Sequence, residues 1–380
     1  MNHEVPWTFA WLRALREPAL VLDWTLDDWQ RVVRLARRLR LLARLAESIA
    51  RADILGLVPE QPRRHLLAEI RLSRHRTTAT TWALLRVGET LADAPYPRVL
   101  LKGAAYIGQD LAIASGRMPS DLDMLVPRVH IAHAQARLVE RGWEELELDA
   151  HDQIYYREWS HEVPPMRHPA HAVELDLHHD ILPPLARTHV DIALLLARLQ
   201  ACKWPGWSVL HPVDQVLHSA AHLFLDAEPR ERVRDLVDLD GMLREFGRDD
   251  AFWAELPRRA SELGLTRVLA LAAHFITHWL ATPIPHETQD VIRRNGPSAL
   301  QRAWLLPVMS ALLTPTEPDA GTSLRQDIAA KIVLMRYHWQ RLPLRLLLPH
   351  LWHKWRARPA AIDIEAQAEA APAPENVNAP

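Results

Sequence analysis

Apolar residues at Trp29, Val32, Val33, Leu35, Ala36, Leu39, Leu42, Leu45 and Ile49 recur at steps of three and four among arginines, which predicts one amphipathic helix over 26–52. A second helix is expected over 62–92, with Leu66, Leu67, Ile70, Leu72, Trp82, Leu84 and Leu85 as its apolar positions, before Pro95 and Pro97 break it. Beyond the prolines the period shortens. Runs at 99–101, 122–126, 144–148, 154–157 and 173–177 read as strands, with helices over 104–114 and 129–141 between them. The alternation is too uneven for a doubly wound sheet and indicates an α+β unit. Helical periodicity returns after Val190, at 214–225, 231–246, 251–263, 267–280 and 298–313, so the C-terminal half reads as all-α. The expected organisation is an N-terminal helical region (1–95), an α+β core with a small mixed sheet (96–189), a C-terminal helical region (190–345), and a basic segment with a tail (346–380). Residues 364–380, rich in Ala, Glu and Pro, are expected to be disordered.

Composition narrows the class of function. In 380 residues, 48% hydrophobic content supports a packed core, and a net charge of −2 exerts no global pull on nucleic acid. The single cysteine, Cys202, excludes an intramolecular disulfide and a cysteine-rich zinc site. The first dozen residues contain no apolar signal core, and no apolar run approaches the roughly 18 residues of a membrane span. A cytoplasmic protein is the expectation.

The chemistry concentrates in the middle of the chain. A short apolar run ends at Lys102-Gly103-Ala104, where a helix begins and free backbone N–H groups can face an anion. Gly116-Arg117 and Ser120 then lead into Asp121-Leu122-Asp123, and strand alternation puts both carboxylates on one side. In the later run 173–178, Val173, Leu175 and Leu177 form one face, so Glu174, Asp176 and His178 share the other. Several aspartates on one surface suit Mg²⁺, which prefers hard oxygen ligands and serves phosphoryl chemistry.

These motifs resemble the uncharacterised nucleotidyltransferase family of the DNA polymerase β-like superfamily, whose pattern is a glycine turn at a helix start, an acid-x-acid strand and one acid on a later strand. The resemblance implies Mg²⁺-dependent transfer of a nucleoside monophosphate from an NTP to a hydroxyl acceptor, with release of pyrophosphate. It makes Asp121, Asp123 and Asp176 the metal ligands and catalytic acids, and Asp176 the activator of the acceptor. Lys102, Gly103, Ala104, Arg117 and Ser120 become nucleotide contacts. Ala104 stands where many members have Ser, and Arg117 is the expected substitute for that phosphate contact.

Other readings are weaker. His218 and His222 are four apart on a predicted helix but lack the acid of a metalloprotease. They are expected to pack toward the site, His218 with Arg232 and Asp238 nearby, while Glu174 and His178 support the acids. His151-Asp152 and His179-Asp180 allow a metal phosphohydrolase, and no Gly-x-Ser-x-Gly, Walker or Rossmann motif occurs. The acid-free stretch 331–358 mixes Lys and Arg with Trp and Leu, as a peripheral membrane contact or a packed closing helix would. A catalytically decayed nucleotide-binding scaffold is the alternative function.

Overall fold

The computed structural model describes residues 7–146, 159–171 and 173–341, together with Tyr156, Arg345, Leu347 and Trp352. The expectations for 364–380, for His151-Asp152, for nearly all of 342–358 and, but for Tyr156, for the strand at 154–157 lie outside these residues. The fold is α+β: a mixed seven-stranded sheet sits in the middle of a mostly helical chain, flanked by helices.

On the N-terminal side, α1 (Leu26–Arg38) starts with a capping box at Thr25 and Asp28. It is followed by α2 (Leu42–Arg51) and the 31-residue α3 (Glu60–Thr90). The single helix expected over 26–52 is therefore two. Arg40 takes φ +56°, and the bonds Leu41 N to Ala36 O and Arg40 N to Arg37 O close α1 as a Schellman turn. Arginine rather than glycine occupies the left-handed position, so the apolar spacing runs on through the break.

The core follows as β1 (Arg98–Leu100), α4 (Lys102–Gly108), β2 (Asp121–Leu125), α5 (Ile131–Val139), β3 (Glu144–Glu145), β4 (Met166–Arg167) and β5 (Glu174–His178). The helix expected over 104–114 is shorter and earlier, stopping where Asp110 turns to φ +53°, with a 3₁₀ turn at Ala112–Ala114. The all-α expectation after Val190 needs correction. Once α6 (Ile192–Leu196) is complete, β6 (Gln200–Ala201) and β7 (Trp207–Val209) join the sheet, whose order is β3-β4-β5-β2-β1-β7-β6. Three residues of β7 pair in parallel with β1, too short a run for periodicity to reveal.

The C-terminal helices are α7 (Pro212–Phe224), α8 (Val233–Phe246), α9 (Asp250–Glu262), α10 (Thr266–Leu280), α11 (His286–Asn295), α12 (Ala299–Leu313) and α13 (Leu324–Arg341). Arg259 on α9 and Asp214 on α7 form a two-pronged buried ion pair at 2.7 and 3.1 Å, and Arg259 also donates to Leu194 O. These bonds tie α9 to α7 and to α6. Residues 331–341 of the basic stretch belong to α13, which packs against α12; Arg336 donates to Phe224 O at 3.0 Å. No helix among the described residues is long and apolar enough to cross a membrane.

Gly116 joins the N-terminal helices to the core. Its φ is +70°, and a Cβ there would lie 2.5 Å from the Arg44 Cα on α2. Left-handed strain and a backbone collision add up, so Gly116→Ala is expected to cost about 2–4 kcal/mol, read as a lowered midpoint in chemical denaturation. A midpoint matching that of the wild type would show that this approach has slack.

Candidate active site

Strand pairing places the acids. β2 and β5 run parallel, with Asp121 opposite Glu174, Asp123 opposite Asp176 and Leu125 opposite His178. Residues level with one another on adjacent parallel strands share a face, so Asp121, Asp123 and Asp176 lie together, with Glu174 and His178 at the two ends of the row. The apolar partners Leu122, Met124, Leu175 and Leu177 are fully buried on the opposite face.

Asp123 is 3% exposed and sits at the centre. Its Oδ1 accepts from Lys102 Nζ at 2.7 Å and pairs with His178 Nε2 at 3.0 Å. Burial opposes ionisation, but Lys102 and the His178 hydrogen bond outweigh it and hold the carboxyl well below the usual range. The partners respond in kind: burial works against charge on both, yet Asp123 raises Lys102, and the bond to Asp123 together with Glu162 raises His178. Asp176 is opposed only by the weaker pull of His178. Burial, then the negative charges of Asp123 and Glu162, push its carboxyl up to about 7. Asp121 is raised for the same reasons, burial first and Asp123 second, while Lys102, Arg117 and Arg234 pull it back.

Of these groups Lys102, Asp121, Asp176 and His178 line a cavity of about 370 Å³, whereas the buried Asp123 is not part of its wall. Lys102, Asp121, Asp176, His178, His218 and His222 contribute to its polar wall, with His161 and Glu162 from the segment before β4. Ile181, Leu182 and Pro183 after β5, and Tyr337, Gln340 and Arg341 at the end of α13, form the other side. Burial drives His218 down to about 3, with Lys102 and His178 adding to the shift, and holds His222 well below its ordinary value, so both are neutral. Arg232 reaches His222 Nδ1 at 3.2 Å rather than His218.

The remaining sequence candidates lie elsewhere. Glu174 is ion-paired with Arg167 and does not line the cavity. Ser120 is exposed, and Gly103 and Ala104 are buried in the first turn of α4 behind Lys102, whose φ is +45°. A Cβ at Gly103 would collide with the Arg117 guanidinium. Arg117 is itself buried, donates to Asp238 Oδ2 at 3.0 Å and lies over the Tyr106 ring; among the described residues it is no part of the cavity wall. Asp238 also accepts from Arg44 at 2.7 Å, so it serves the two arginines rather than His218. His179, buried and lowered to about 4 by that burial, and Asp180 lie outside the lining, as neighbours of the cavity.

His161, Glu162, Tyr337 and Gln340 were not among the sequence candidates, and Arg341 entered only as part of the acid-free stretch 331–358. No motif marks them, since they reach the site through an isolated antiparallel bridge between Glu162 and His178 and through the end of a helix that begins about 145 residues beyond β5.

The donor set suits a hard divalent cation, because three carboxylates on one face carry more negative charge than Lys102 balances, and that charge adds to burial in raising Asp176. Searches among curated proteins and among solved structures find no match to the chain. Residues 25–281, well over half of the chain and inclusive of every acid in the cluster, match the model of the uncharacterised nucleotidyltransferase family, and the chain belongs to that family.

Proposed function

We propose that this protein is a cytosolic, Mg²⁺-dependent enzyme that moves a nucleoside monophosphate from an NTP to a hydroxyl-bearing acceptor. The observation that carries the reading is the register of β2 on β5, which gathers Asp121, Asp123 and Asp176 on one face beside an open cavity. Asp121, Asp123 and Asp176 would hold the metal, which when bound supplies charge neutralisation on the phosphates. In the transfer the acceptor oxygen forms a bond to the α-phosphorus, the α–β bridging bond breaks, and pyrophosphate leaves. Asp176 takes the hydroxyl proton, since its carboxylate lines the cavity and, unlike that of Asp123, is not engaged by Lys102. Lys102 steadies Asp123 and, lining the cavity, offers its ammonium to the triphosphate. Arg117 and Arg234 act on Asp121 through their charge from within the protein.

The acceptor side is built by Ile181, Leu182, Pro183 and α13. Because α13 lies beyond the matched segment 25–281, its Tyr337, Gln340 and Arg341 are the residues assigned to acceptor choice in this chain. The test is incubation of the purified protein and cell extract with each α-labelled NTP and Mg²⁺, with and without EDTA. Label entering an acceptor only with free Mg²⁺ supports the reading. Intact NTP binding without transfer in any extract would instead favour the nucleotide-binding scaffold.

A further inference from the structure

The cavity wall holds a second set of donors that the transfer reaction does not use. His161, Glu162 and His178 each offer one ligand atom, and these atoms all lie within 4.8 Å of one another. Glu162 Oε2 is 3.4 Å from His178 Nδ1 and 3.9 Å from His161 Nε2. In a tetrahedral zinc site with metal–nitrogen bonds of about 2.0 Å, neighbouring ligand atoms are about 3.3 Å apart. One of the two spacings is already there, and the other needs a shift of about half an ångström, within the reach of a side-chain rotation.

The backbone holds this set in place. Val163 N donates to Leu177 O at 3.0 Å and His179 N to His161 O at 2.8 Å, which pins 161–163 against the end of β5. His178 is 2% exposed, and its Nδ1, the ring nitrogen that faces Glu162, is a buried atom without a hydrogen bond. Orphaned buried ring nitrogens are costly unless a partner is supplied. Meanwhile His178 Nε2 is held by Asp123 Oδ1 at 3.0 Å, the carboxylate-to-imidazole support that metal-bound histidines receive on their far nitrogen. With Asp123 engaging Nε2, Nδ1 is the ring nitrogen that faces Glu162.

We infer that His161, Glu162 and His178 form a separate binding site for a borderline divalent cation of the zinc class. Two imidazoles and one carboxylate are the donor set of open zinc sites, whereas Mg²⁺ prefers oxygen and belongs with the aspartates. Since all three residues line the cavity, the remaining coordination position faces it, available to water or to a donor atom of the acceptor. The chain would then sort two cations by ligand chemistry on one wall.

Cobalt(II) titration of the full-length, chelator-stripped protein tests the site without reference to activity. One equivalent is expected to give visible ligand-field bands that Zn²⁺ abolishes and excess Mg²⁺ leaves in place. His161→Ala/Glu162→Gln is expected to bind at least about 100-fold more weakly. Glu162→Gln alone, which preserves side-chain shape and the backbone bridge, is the control for folding, checked by circular dichroism, and it too should lose the bands. Asp121→Asn/Asp176→Asn should keep them. Absence of bands in the wild type, their persistence in the His161/Glu162 variants, or their loss in the aspartate variant would each overturn the assignment.

Discussion

Asp123→Asn and Asp176→Asn are each expected to lower nucleotidyl transfer by about 10³-fold or more, yet to move the stability of the metal-free protein in opposite directions. On the proposed reading both changes remove a carboxylate from the cluster that would hold the cation neutralising the reacting phosphates, so the expected catalytic loss is shared. Their environments are not. Asp123 has its pKa depressed by Lys102 and His178, so its contribution to stability is present above the ordinary carboxylate value and is lost as pH falls through the lower folded one. Asparagine leaves Lys102 and His178 facing an amide, at a cost of about 3 kcal/mol near neutral pH. Asp176 has the reverse sign. With its carboxyl raised from 3.8 to about 7, its favourable term is fully present below 3.8 and disappears as pH rises through about 7. At pH 8 the ionised group is a burden that asparagine removes, a gain of up to about 4 kcal/mol, because each tenfold change in an ionisation constant is worth about 1.4 kcal/mol. Thermal unfolding in EDTA at pH 5 and pH 8 checks this: Asp176→Asn should melt above the wild type at pH 8, with the gap shrinking at pH 5. Melting below the wild type at both values would mean that Asp176 is held by a cation not seen in its surroundings.

This pairing of lost activity with gained stability is the signature of a side chain kept for chemistry rather than for folding. It also separates what the sequence could disclose from what it could not. The row Asp121, Asp123 and Asp176 was legible because strand alternation fixes which residues share a face, and two runs of alternating acids and aliphatics leave little freedom in register. The α+β class was legible from the change of period at Pro95 and Pro97. The split of the first long helix was not, since a left-handed arginine at position 40 interrupts no apolar spacing. Nor was β7, a three-residue strand whose identity depends on its parallel partner β1. Local pattern likewise says nothing about Glu162, placed by one bridge, or about α13, placed by packing from the far end of the chain. The role of Gly103 illustrates a different limit. A glycine at a helix start is equally a phosphate turn or a point of close approach, and here the neighbour that excludes a Cβ is the Arg117 guanidinium.

Arg117 leads to the second large effect, at Asp238. This carboxylate on α8 binds Arg44 from α2 at 2.7 Å and Arg117 from the loop before β2 at 3.0 Å, so one side chain joins three parts of the chain. All three groups are about nine-tenths buried or more. Burial works against the Asp238 charge, but Arg117 and Arg44 outweigh it and depress its pKa, and Arg234 adds to the same field. Without the acid, Arg44 and Arg117 would remain as buried cations with Arg234 close by. Asp238→Ala is therefore expected to lose about 3–5 kcal/mol, the usual cost of stripping one partner from a buried pair. The damage should be specific to unpaired charge rather than to lost volume. Asp238→Leu combined with Arg117→Met should recover at least half of the stability lost in Asp238→Leu alone, a coupling that a double-mutant cycle in urea would read directly. Additive losses would show that Asp238 acts through packing alone. Transfer activity need not return with stability, because Arg117 also fills the space over Gly103 and lends its charge to Asp121. A stable double variant with impaired transfer would place Arg117 as the positioning residue that connects the helical frame to the aspartate face.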